Sequence, residues 1–488
     1  MGCVPRGKTI AWGIGAAAAT AAMWWFGDGL MPCWPLMWLA PLPVLLFALE
    51  ASGPAAAVTA FAAWMAGSLN MWGYLHRLGL PFLGWLASFG VASLAAALAI
   101  LLFRALVLRG ARWSGMLAFA ALWVVMEFLR NWTMPHGTAG SLAYTQMRFL
   151  PFLQLASLTG PWGMTFVLLL FPAGVACAAH LWRRNRAQDR RASFITAAVT
   201  CSVVGAVLVF GWARLAVPQP GPRVTVGLAA SDLPENETIE EPGADARRLL
   251  SEYAAQARRL ADEGAGAVVL PEKLAVVPNG DVAATDALFQ PVADAMGATI
   301  VVGVLRNTGM ARYNQARVYR PGAAVESYDK EHMLPPFESP LTPGRALVTL
   351  RSGGAQEGVA ICKDMDFAAP ASRYGQAATG LLLVPAWDFQ IDRVWHGYIA
   401  VMRGVEDGFS LVRSAKGGFL TVSDSRGRIL AERRSNAAPF STLLATVPAG
   451  HTATLYLRWG DWFAWGCVVV LLFALIRLAG PVWWPRRP

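Results

Sequence analysis

Eight apolar segments, most of them near the length that crosses a lipid bilayer, constrain this 488-residue chain more than any other feature. A transmembrane helix needs about 20 mainly apolar residues. The second segment is short and rich in proline, so the sequence defines its limits poorly. About 235 residues of ordinary composition separate the last two segments, which predicts a membrane bundle of about eight spans with one long inserted domain. The segments are 9–26, 33–50, 54–76, 80–107, 113–130, 150–180, 193–213 and 460–480.

The net charge of +10 lies entirely in the apolar half of the chain. Residues 1–221 carry 14 Lys and Arg against four acidic residues, whereas the charges of residues 222–488 balance. Basic residues beside apolar spans usually mark their cytoplasmic ends. The excess therefore indicates membrane topology, and no nucleic-acid partner is expected. The six cysteines and six histidines are scattered without metal-ligand spacing, so no metal site and no disulfide framework is expected either.

The basic residues of the short loops predict which way the domains face. Arg6 and Lys8, the loop 104–112, the run 183–191 and the C-terminal Arg486 and Arg487 all fall on one side when the spans are counted. That side is expected to be the cytoplasm. We therefore expect three parts: a seven-span membrane domain (1–221), an outward-facing catalytic domain (222–458), and a C-terminal transmembrane helix with a short cytoplasmic tail (459–488).

The outward domain has the pattern of an α/β sandwich. Its short apolar runs, such as Gly380–Pro385, are typical of strands buried on both faces of a sheet. The predicted strands are 223–229, 267–270, 299–304, 316–320, 358–362 and 380–385, and the predicted helices are 243–262, 283–297 and 395–407.

Reactive side chains stand at the ends of three of these strands. Glu272 follows the strand at 267–270, Lys330 is followed eight residues later by Glu338, and Cys362 ends the strand at 358–362. Taken one at a time, each has a plainer interpretation: a solvated acid, a surface lysine, a buried structural thiol. Together they fit acyl transfer, in which a thiolate attacks, a carboxylate takes its proton, and an ammonium stabilises the oxyanion. Lys363, beside the thiol, favours the thiolate electrostatically.

Three longer motifs resemble bacterial apolipoprotein N-acyltransferases, which belong to the nitrilase superfamily. The stretch Gln154–Gly163 is similar to that family's Q-x-A-x-x-T-G-x-x-G pattern. The run Tyr328–Glu338 resembles its Y-x-K-x-H-L-V-P-F-G-E pattern, with a small shift around Phe337. His396 followed by Met402-Arg403-Gly-Val-Glu406 loosely matches a third pattern. Together with the spans, the resemblance covers nearly the whole chain.

The resemblance implies a nitrilase-like αββα sandwich and a residue-by-residue assignment of roles. The family's catalytic Glu, Lys and Cys fall on Glu272, Lys330 and Cys362, and its supporting glutamate falls on Glu338. It further implies a phospholipid acyl donor, a cysteine thioester, and a diacylated apolipoprotein acceptor. The expected location is the bacterial inner membrane, multi-pass, with the catalytic domain on the periplasmic side. No cofactor is implied, and a monomer is expected.

The chain also departs from the family pattern around the nucleophile. Cys362-Lys363-Asp364 stands where the family has Cys-Tyr-Glu, so Lys363 and Asp364 are the expected supporting neighbours of the thiol. Trp387-Asp388 replaces an Asn-Asp pair, and Ser414-Ala415-Lys416-Gly417 replaces T-N-x-G. These changes leave the three catalytic positions intact and bear mainly on the acyl acceptor.

Two other interpretations remain open from the sequence. The first is a membrane-tethered amidase, or an acyltransferase that uses another amine acceptor. The second is a non-catalytic membrane protein that binds lipid or lipoprotein. Phe389 and Trp395, on loops beside the sheet, either touch lipid or pack inside the domain.

Overall fold

The computed structural model describes residues 6–392 and 394–480, and the chain divides there into two compact units. The first unit comprises 1–132, 140–214 and 460–488, and the second comprises 133–139 and 215–459. The seven residues 133–139, which follow a long apolar helix in the chain, therefore belong to the second unit. Arg486 and Arg487, used above to infer orientation, lie outside the described residues.

The first unit is built of helices. Six of them are long and apolar enough, by length and composition, to cross a membrane: Lys8–Gly27, Phe82–Leu108, Arg112–Thr133, Pro161–Arg183, Ala187–Ala216 and Trp462–Ala479. The first of these is the apolar part of the helix Arg6–Gly27. The shorter helices are Trp34–Met37, Leu42–Glu50, Gly53–Ser68, Trp72–Arg77, Leu150–Leu153 and Ala156–Thr159.

Two of the eight predicted spans contain only shorter helices, and a third, 150–180, begins with two short helices before Pro161–Arg183. In 33–50 the helix restarts at Leu42, and prolines occupy the first turns of both pieces, where their missing N–H is harmless. In 54–76 the helix Gly53–Ser68 gives way to a 3₁₀ turn at 69–71. There the Asn70 amide donates hydrogen bonds of 3.0 Å to the carbonyls of Trp25 and Asp28. Proline and this side-chain contact with the backbone therefore end helices that hydropathy alone runs together.

One buried carboxylate organises the middle of the helical unit. Glu127 is 3% exposed and accepts four hydrogen bonds. Oε1 accepts from Trp123 Nε1 (3.1 Å) and from the Leu142 backbone N–H (2.9 Å). Oε2 accepts from Ser141 Oγ (2.8 Å) and Thr165 Oγ1 (3.0 Å). All four donors are uncharged, so this carboxylate joins a helix to the turn at 141–146 without an ion pair among these contacts.

The second unit contains two β-sheets. Their strands are β1 Arg223–Ala230, β2 Ala267–Val269, β3 Val276–Pro278, β4 Thr299–Asn307, β5 Arg312–Tyr319, β6 Glu326–Asp329, β7 Thr349–Ser352, β8 Ala355–Val359, β9 Leu381–Trp387, β10 Ser410–Lys416, β11 Phe419–Ser423, β12 Ile429–Arg434 and β13 Ser441–Pro448. The first sheet has the strand order β13-β1-β2-β4-β5-β6, with β3 paired to β4, and the second has the order β12-β11-β10-β9-β8-β7. Pairs β1–β2, β2–β4, β3–β4, β8–β9 and β9–β10 are parallel, and the remaining neighbours are antiparallel.

The sheets face each other across an apolar core, which includes Val226 and Leu228 of β1 and Leu381 and Leu383 of β9. The outer face of the first sheet is covered by helices Ala244–Asp262 and Val282–Met296. Helices Ala368–Gln376 and Trp395–Asp407 pack on the second sheet, and Leu455–Trp459 follows near the end of the unit. The layers therefore run helix, sheet, sheet, helix, which confirms the predicted combination of a helical region with an αββα sandwich.

Strand ends differ from the sequence-based boundaries at one important place. The predicted strand 358–362 is replaced by β8, which ends at Val359, so Cys362 lies beyond the strand and begins the 3₁₀ turn Cys362–Asp366. The prediction also missed strands β3, β6, β7, β10, β11, β12 and β13, because their apolar runs are too brief or too mixed with polar residues to stand out.

Candidate active site

Cys362 lies in a turn that the backbone holds in an unfavourable conformation. Its φ of 43° places a non-glycine residue in the left-handed region, which L-residues rarely adopt. Such strain persists only where the surroundings enforce it, and it is common at functional sites. The partly exposed Cys362 thiol contacts the carbonyl oxygen of Trp387 at 3.5 Å. The turn therefore presents the thiol at the end of the second sheet, near β9.

The predicted neighbour Asp364 fixes this turn. Its Oδ2 accepts hydrogen bonds from the Ile361 backbone N–H (3.1 Å) and from the Tyr328 hydroxyl (2.8 Å). Its Oδ1 accepts from the backbone N–H groups of Glu331 (3.1 Å) and His332 (2.9 Å). One buried carboxylate thus joins the turn that carries Cys362 to the segment that carries Lys330.

The second predicted neighbour, Lys363, contacts other groups. Its Nζ lies 3.1 Å from Asp366 Oδ2 and 3.1 Å from His136 Nδ1. The same turn accepts two hydrogen bonds at the Asp366 carbonyl, from the Thr138 backbone N–H (2.9 Å) and hydroxyl (3.0 Å). Residues 136–138 therefore hold the far side of the turn, an anchoring contact that the sequence did not reveal.

The other predicted site residues form a buried charge network. Glu272, Lys330 and Glu338 are 1%, 2% and 1% exposed. The Lys330 ammonium lies 2.8 Å from Glu272 Oε1 and 2.7 Å from Glu338 Oε2. Residues from two different strand ends, Glu272 after β2 and Lys330 after β6, are therefore in direct contact, and Lys330 also contacts Glu338.

Backbone contacts explain why these side chains meet. Glu272 follows β2, and its backbone N–H donates to the Ala386 carbonyl of β9 in the other sheet (3.3 Å). A Cβ at Gly303 would lie 2.6 Å from the Glu272 Cα, so only glycine lets β4 pass this close. Lys330 follows β6, and its N–H donates to the Asn314 carbonyl at 2.8 Å.

Two further residues complete the network, and sequence reasoning missed both. The Asn314 amide, on β5, donates to Glu272 Oε1 and to Glu338 Oε1, the latter at 2.7 Å. The Lys273 ammonium lies 2.8 Å from Glu338 Oε1. Asn314 sits in mid-strand with no motif around it, but Lys273 directly follows Glu272, and that adjacency was a usable signal.

The charges set the protonation states of the network. Burial works to lower the pKa of Lys330, but the adjacent Glu272 and Glu338 carboxylates outweigh it and raise that pKa well above the ordinary value. Burial works to raise the pKa of Glu338, yet Lys330 and Lys273 lower it to about 2. At neutral pH the network therefore holds an ammonium next to an ionised carboxylate.

The surroundings of Cys362 favour the neutral form of its thiol. Burial raises the pKa of Cys362 well above the ordinary value, and the Glu272 carboxylate raises it further. Lys330 and Arg413 act against this rise without cancelling it. The resting thiol is therefore protonated at neutral pH, and its activation requires a base beside it.

The end of β9 next to the thiol includes Trp387, one of the residues at which the chain departs from the family pattern. Asp388 forms a buried bidentate ion pair with Arg413 of β10, at 2.8 and 2.5 Å. Trp387 lies beneath two ammonium groups, with Lys416 Nζ 4.1 Å and Lys273 Nζ 5.0 Å from its ring centroid. Arg413 was another residue that sequence reasoning missed.

Aromatic side chains surround the same loops. The rings of Phe337 and Phe389 lie 5.5 Å apart, and Phe337 is 52% exposed although it directly precedes Glu338. Phe389 and Trp395 are both half-buried. Within residues 6–392 and 394–480, no group of three His, Cys, Asp or Glu side chains is arranged to hold a metal ion.

These features define a class: a chain with a unit of apolar helices and an αββα unit whose cysteine lies beside a buried glutamate–lysine network. The family model described as "Apolipoprotein N-acyltransferase N-terminal domain" matches residues 16–174. Proteins named apolipoprotein N-acyltransferase are similar over most of the chain. That of Geobacter metallireducens is 28% identical over 89% of each chain, and that of Vibrio cholerae is 24% identical over 88% of this chain and 89% of its own.

Two solved structures that are similar to part of the chain are amidases. An amidase from Nesterenkonia sp. is 21% identical, with a TM-score of 0.41 over 49% of this chain and 94% of its own. A mutant of the Nesterenkonia amidase, described as coming from the nitrilase superfamily, is 20% identical, with a TM-score of 0.41 over 48% of this chain and 93% of its own. The sequence matches confirm the resemblance to apolipoprotein N-acyltransferases.

Proposed function

We propose that this chain transfers an acyl group from a phospholipid, through a thioester on Cys362, to the N-terminal amine of a diacylglyceryl-cysteine apolipoprotein. The contact of Lys330 with Glu272 in a buried network, beside a strained cysteine, is the observation that supports this most. The similarity to proteins named apolipoprotein N-acyltransferase supports the choice of reaction.

The first half-reaction forms the thioester. Glu272 takes the Cys362 thiol proton, and Sγ attacks the ester carbonyl carbon of the phospholipid. The oxyanion that develops accepts a hydrogen bond from the Lys330 ammonium, whose raised pKa keeps it charged. The carbon–oxygen bond then breaks, and Glu272 returns the proton to the departing lysophospholipid oxygen.

The second half-reaction uses the same groups in the opposite direction. The acceptor amine, after loss of its ammonium proton to solvent, attacks the thioester carbonyl carbon. Lys330 again stabilises the oxyanion, Glu272 takes the second amine proton, and the carbon–sulfur bond breaks. The proton passes to the Cys362 sulfur, which restores the thiol and releases the amide.

The supporting residues hold this arrangement. Glu338 keeps Lys330 in place and charged through their 2.7 Å contact. Asp364 fixes the turn on one side through its four hydrogen bonds. For Lys363 we propose an electrostatic role on the thiol that is modest, because its ammonium is paired with Asp366.

The proposed substrates also require a location. Because the donor is a bilayer lipid and the acceptor is lipid-anchored, the site must open at a membrane surface. We propose that residues 1–221 and 459–488 are embedded in the bacterial inner membrane. In this arrangement the domain 222–458 faces the periplasm, as the basic loops indicate.

Transfer to a defined acceptor tests the proposal. The purified protein is incubated with phospholipid and a synthetic diacylglyceryl-cysteine peptide, and the peptide mass is followed. We expect one added acyl chain with wild type, no product with Cys362→Ala, and normal product with the control Cys201→Ala, an exposed cysteine in a helix of the other unit. An unmodified peptide alongside an acylated Cys362 would refute the proposed acceptor.

A second candidate is an acyltransferase or amidase that acts on another amine or amide. It is favoured by Trp387, which stands where the family pattern has Asn and whose carbonyl oxygen contacts the thiol. Acylation of a different amine, with the diacylated peptide left untouched, would establish it. A protein that only binds lipid would never form the thioester.

A further inference from the structure

Lys416 lies in one of the three stretches at which this chain departs from the family pattern, 414–417, and contacts Trp387 in another. It is the last residue of β10, is 2% exposed, and is the register partner of Trp387 on β9. Its ammonium lies 4.1 Å from the centroid of the Trp387 ring, within the range of a cation–π contact. Lys416 and Trp387 are therefore direct partners.

The ammonium of Lys416 also holds the backbone beside Glu272. It donates hydrogen bonds to Thr238 Oγ1 (3.0 Å) and to the carbonyl of Lys273 (3.2 Å). Lys273 has a φ of 49°, so the residue after Glu272 is a second non-glycine residue in the left-handed region. Its carbonyl accepts from the Thr238 hydroxyl as well, at 2.8 Å. The contacts of Lys416 thus help to maintain this conformation.

The other contact of Lys416 is with Trp387, which in turn contacts the nucleophile. Trp387 presents its carbonyl oxygen to the Cys362 thiol at 3.5 Å. A cation over the ring restrains the same residue, and Lys273 adds a second at 5.0 Å. One side chain therefore touches both the segment that carries Glu272 and the residue that contacts Cys362.

We propose that Lys416 is a positioning residue, which ties the Glu272 segment to Trp387 and so sets the reactivity of the Cys362 thiol. This role rests on the proposed function, in which Glu272 activates Cys362. The distinctive consequence concerns pH, because the charge of Lys416 contributes to the restraint.

The groups around Lys416 bring the pKa of its ammonium close to neutral pH. Burial lowers the pKa of Lys416 to about 7, against the opposing effect of the Glu272 carboxylate. Lys273 lowers it further, whereas Glu237 and Asp232 raise it. Between about pH 6 and pH 8 the ammonium becomes an amine and the cation over Trp387 is lost. Trp387, which contacts the thiol, then loses the cation that restrains it, so the reactivity of the thiol rises less with pH than a simple thiol titration predicts.

Alkylation of Cys362 by iodoacetamide tests the role without any lipid substrate. Lys416→Met should slow alkylation by at least about tenfold, the scale of a lost hydrogen bond from a charged group. It should also remove the inflection near pH 7. Lys416→Arg should retain most of the rate but lose the inflection, since a guanidinium stays charged. Lys8→Met, at an exposed lysine of the helical unit, is the matched control and should behave as wild type.

Two results would overturn the proposal. The first is a rate and pH profile in Lys416→Met that match wild type. The second is an inflection near pH 7 that survives in Lys416→Arg, which also decides the question if the methionine variant does not fold. Failure of the proposed function is recognised separately, because iodoacetamide reports on the thiol even when phospholipid forms no thioester.

Discussion

The two units each bury a glutamate that accepts four hydrogen bonds, but the donors differ in kind. Glu127 in the helical unit accepts from an indole, a backbone N–H and two hydroxyls. Glu338 in the sandwich accepts from two ammonium groups, an amide and the Leu334 backbone N–H. A hydroxyl can rotate and accept a hydrogen bond instead of donating one, whereas ammonium and N–H groups only donate. The same side chain is therefore an adaptable packing element in one unit and a fixed electrostatic element in the other.

Replacement of Glu338 by glutamine should break the sandwich network. The new amide group must point its own N–H groups at two donors that cannot accept, whichever way it turns. Loss of one partner from a buried ion pair costs about 3–5 kcal/mol, so we expect that loss in the free energy of unfolding, measured by denaturant titration in detergent. Stability equal to wild type would show that the charges of Glu338 and its lysines are not structurally coupled.

Replacement of Lys330 by methionine should act mainly on the chemistry. Loss of one oxyanion donor typically costs about 10²–10³ in rate, and we expect that decrease in thioester formation from phospholipid. The rate is expressed per folded molecule, because the variant also leaves Glu272 and Glu338 without their shared cation. An unchanged rate per folded molecule would exclude Lys330 from oxyanion stabilisation.

A third buried glutamate, Glu357 in the sandwich, lies in an environment that differs from those of Glu127 and Glu338. It is fully buried on β8 and, by strand alternation, faces the same side as Ala355 and Val359 of the inter-sheet core. Burial raises its pKa to about 7, although Arg320 opposes the rise. A folded-state pKa above the unfolded value means that stability is greatest below about pH 4.5 and declines as pH rises toward 7.

The expected decline due to Glu357 is about 3 kcal/mol, at 1.36 kcal/mol for each pKa unit. Glu357→Gln should remove it, so the variant should gain stability relative to wild type as pH rises. Glu338 has a lowered pKa of about 2, and its contribution instead disappears as pH falls below about 4.5. Unfolding measured from about pH 2.5 to 8 should show the Glu338 slope below about pH 4.5 and the opposite Glu357 slope above it; a profile without this reversal would contradict the assigned environments.

Replacement of Glu127 by glutamine should have the smallest effect. The amide oxygen can accept from Trp123 and Leu142, and the amide N–H groups can donate to the Ser141 and Thr165 hydroxyls after these reverse. We expect a loss of about 1 kcal/mol, the scale of one ordinary hydrogen bond. Because Glu338→Gln is the same substitution at a carboxylate with the same number of donors, equal losses at the two sites would refute the comparison.

The sequence predicted the architecture and the main charged residues for identifiable reasons. The long apolar segments and the near-continuous apolar strand β9 follow directly from hydropathy. Glu272 and Cys362 were recognisable because polar residues directly after apolar runs are conspicuous, and Lys330 because of the motif Tyr328–Glu338 that contains it. Proline and Asn70 interrupted two segments that hydropathy merges, so six long helices replace eight predicted spans.

The parts of the site that the sequence did not predict depend on contacts between distant parts of the chain. Asn314 and Arg413 lie inside strands, where only the pairing of β5 and β10 with their neighbours directs them toward the site. The left-handed backbone at Cys362 is enforced by Asp364 and by contacts from residues 136–138, which are far away in sequence. No local pattern encodes such contacts, so the positions of these groups could not be predicted.

The mass of the intact protein after incubation with phospholipid tests the central claim most directly. We predict an increase equal to one fatty acid minus water, located on Cys362 by peptide mapping, sensitive to hydroxylamine, and absent from Cys362→Ala. Addition of the diacylated peptide should then remove it. An unmodified Cys362 in folded wild-type protein, after prolonged incubation with phospholipid, would contradict the covalent mechanism.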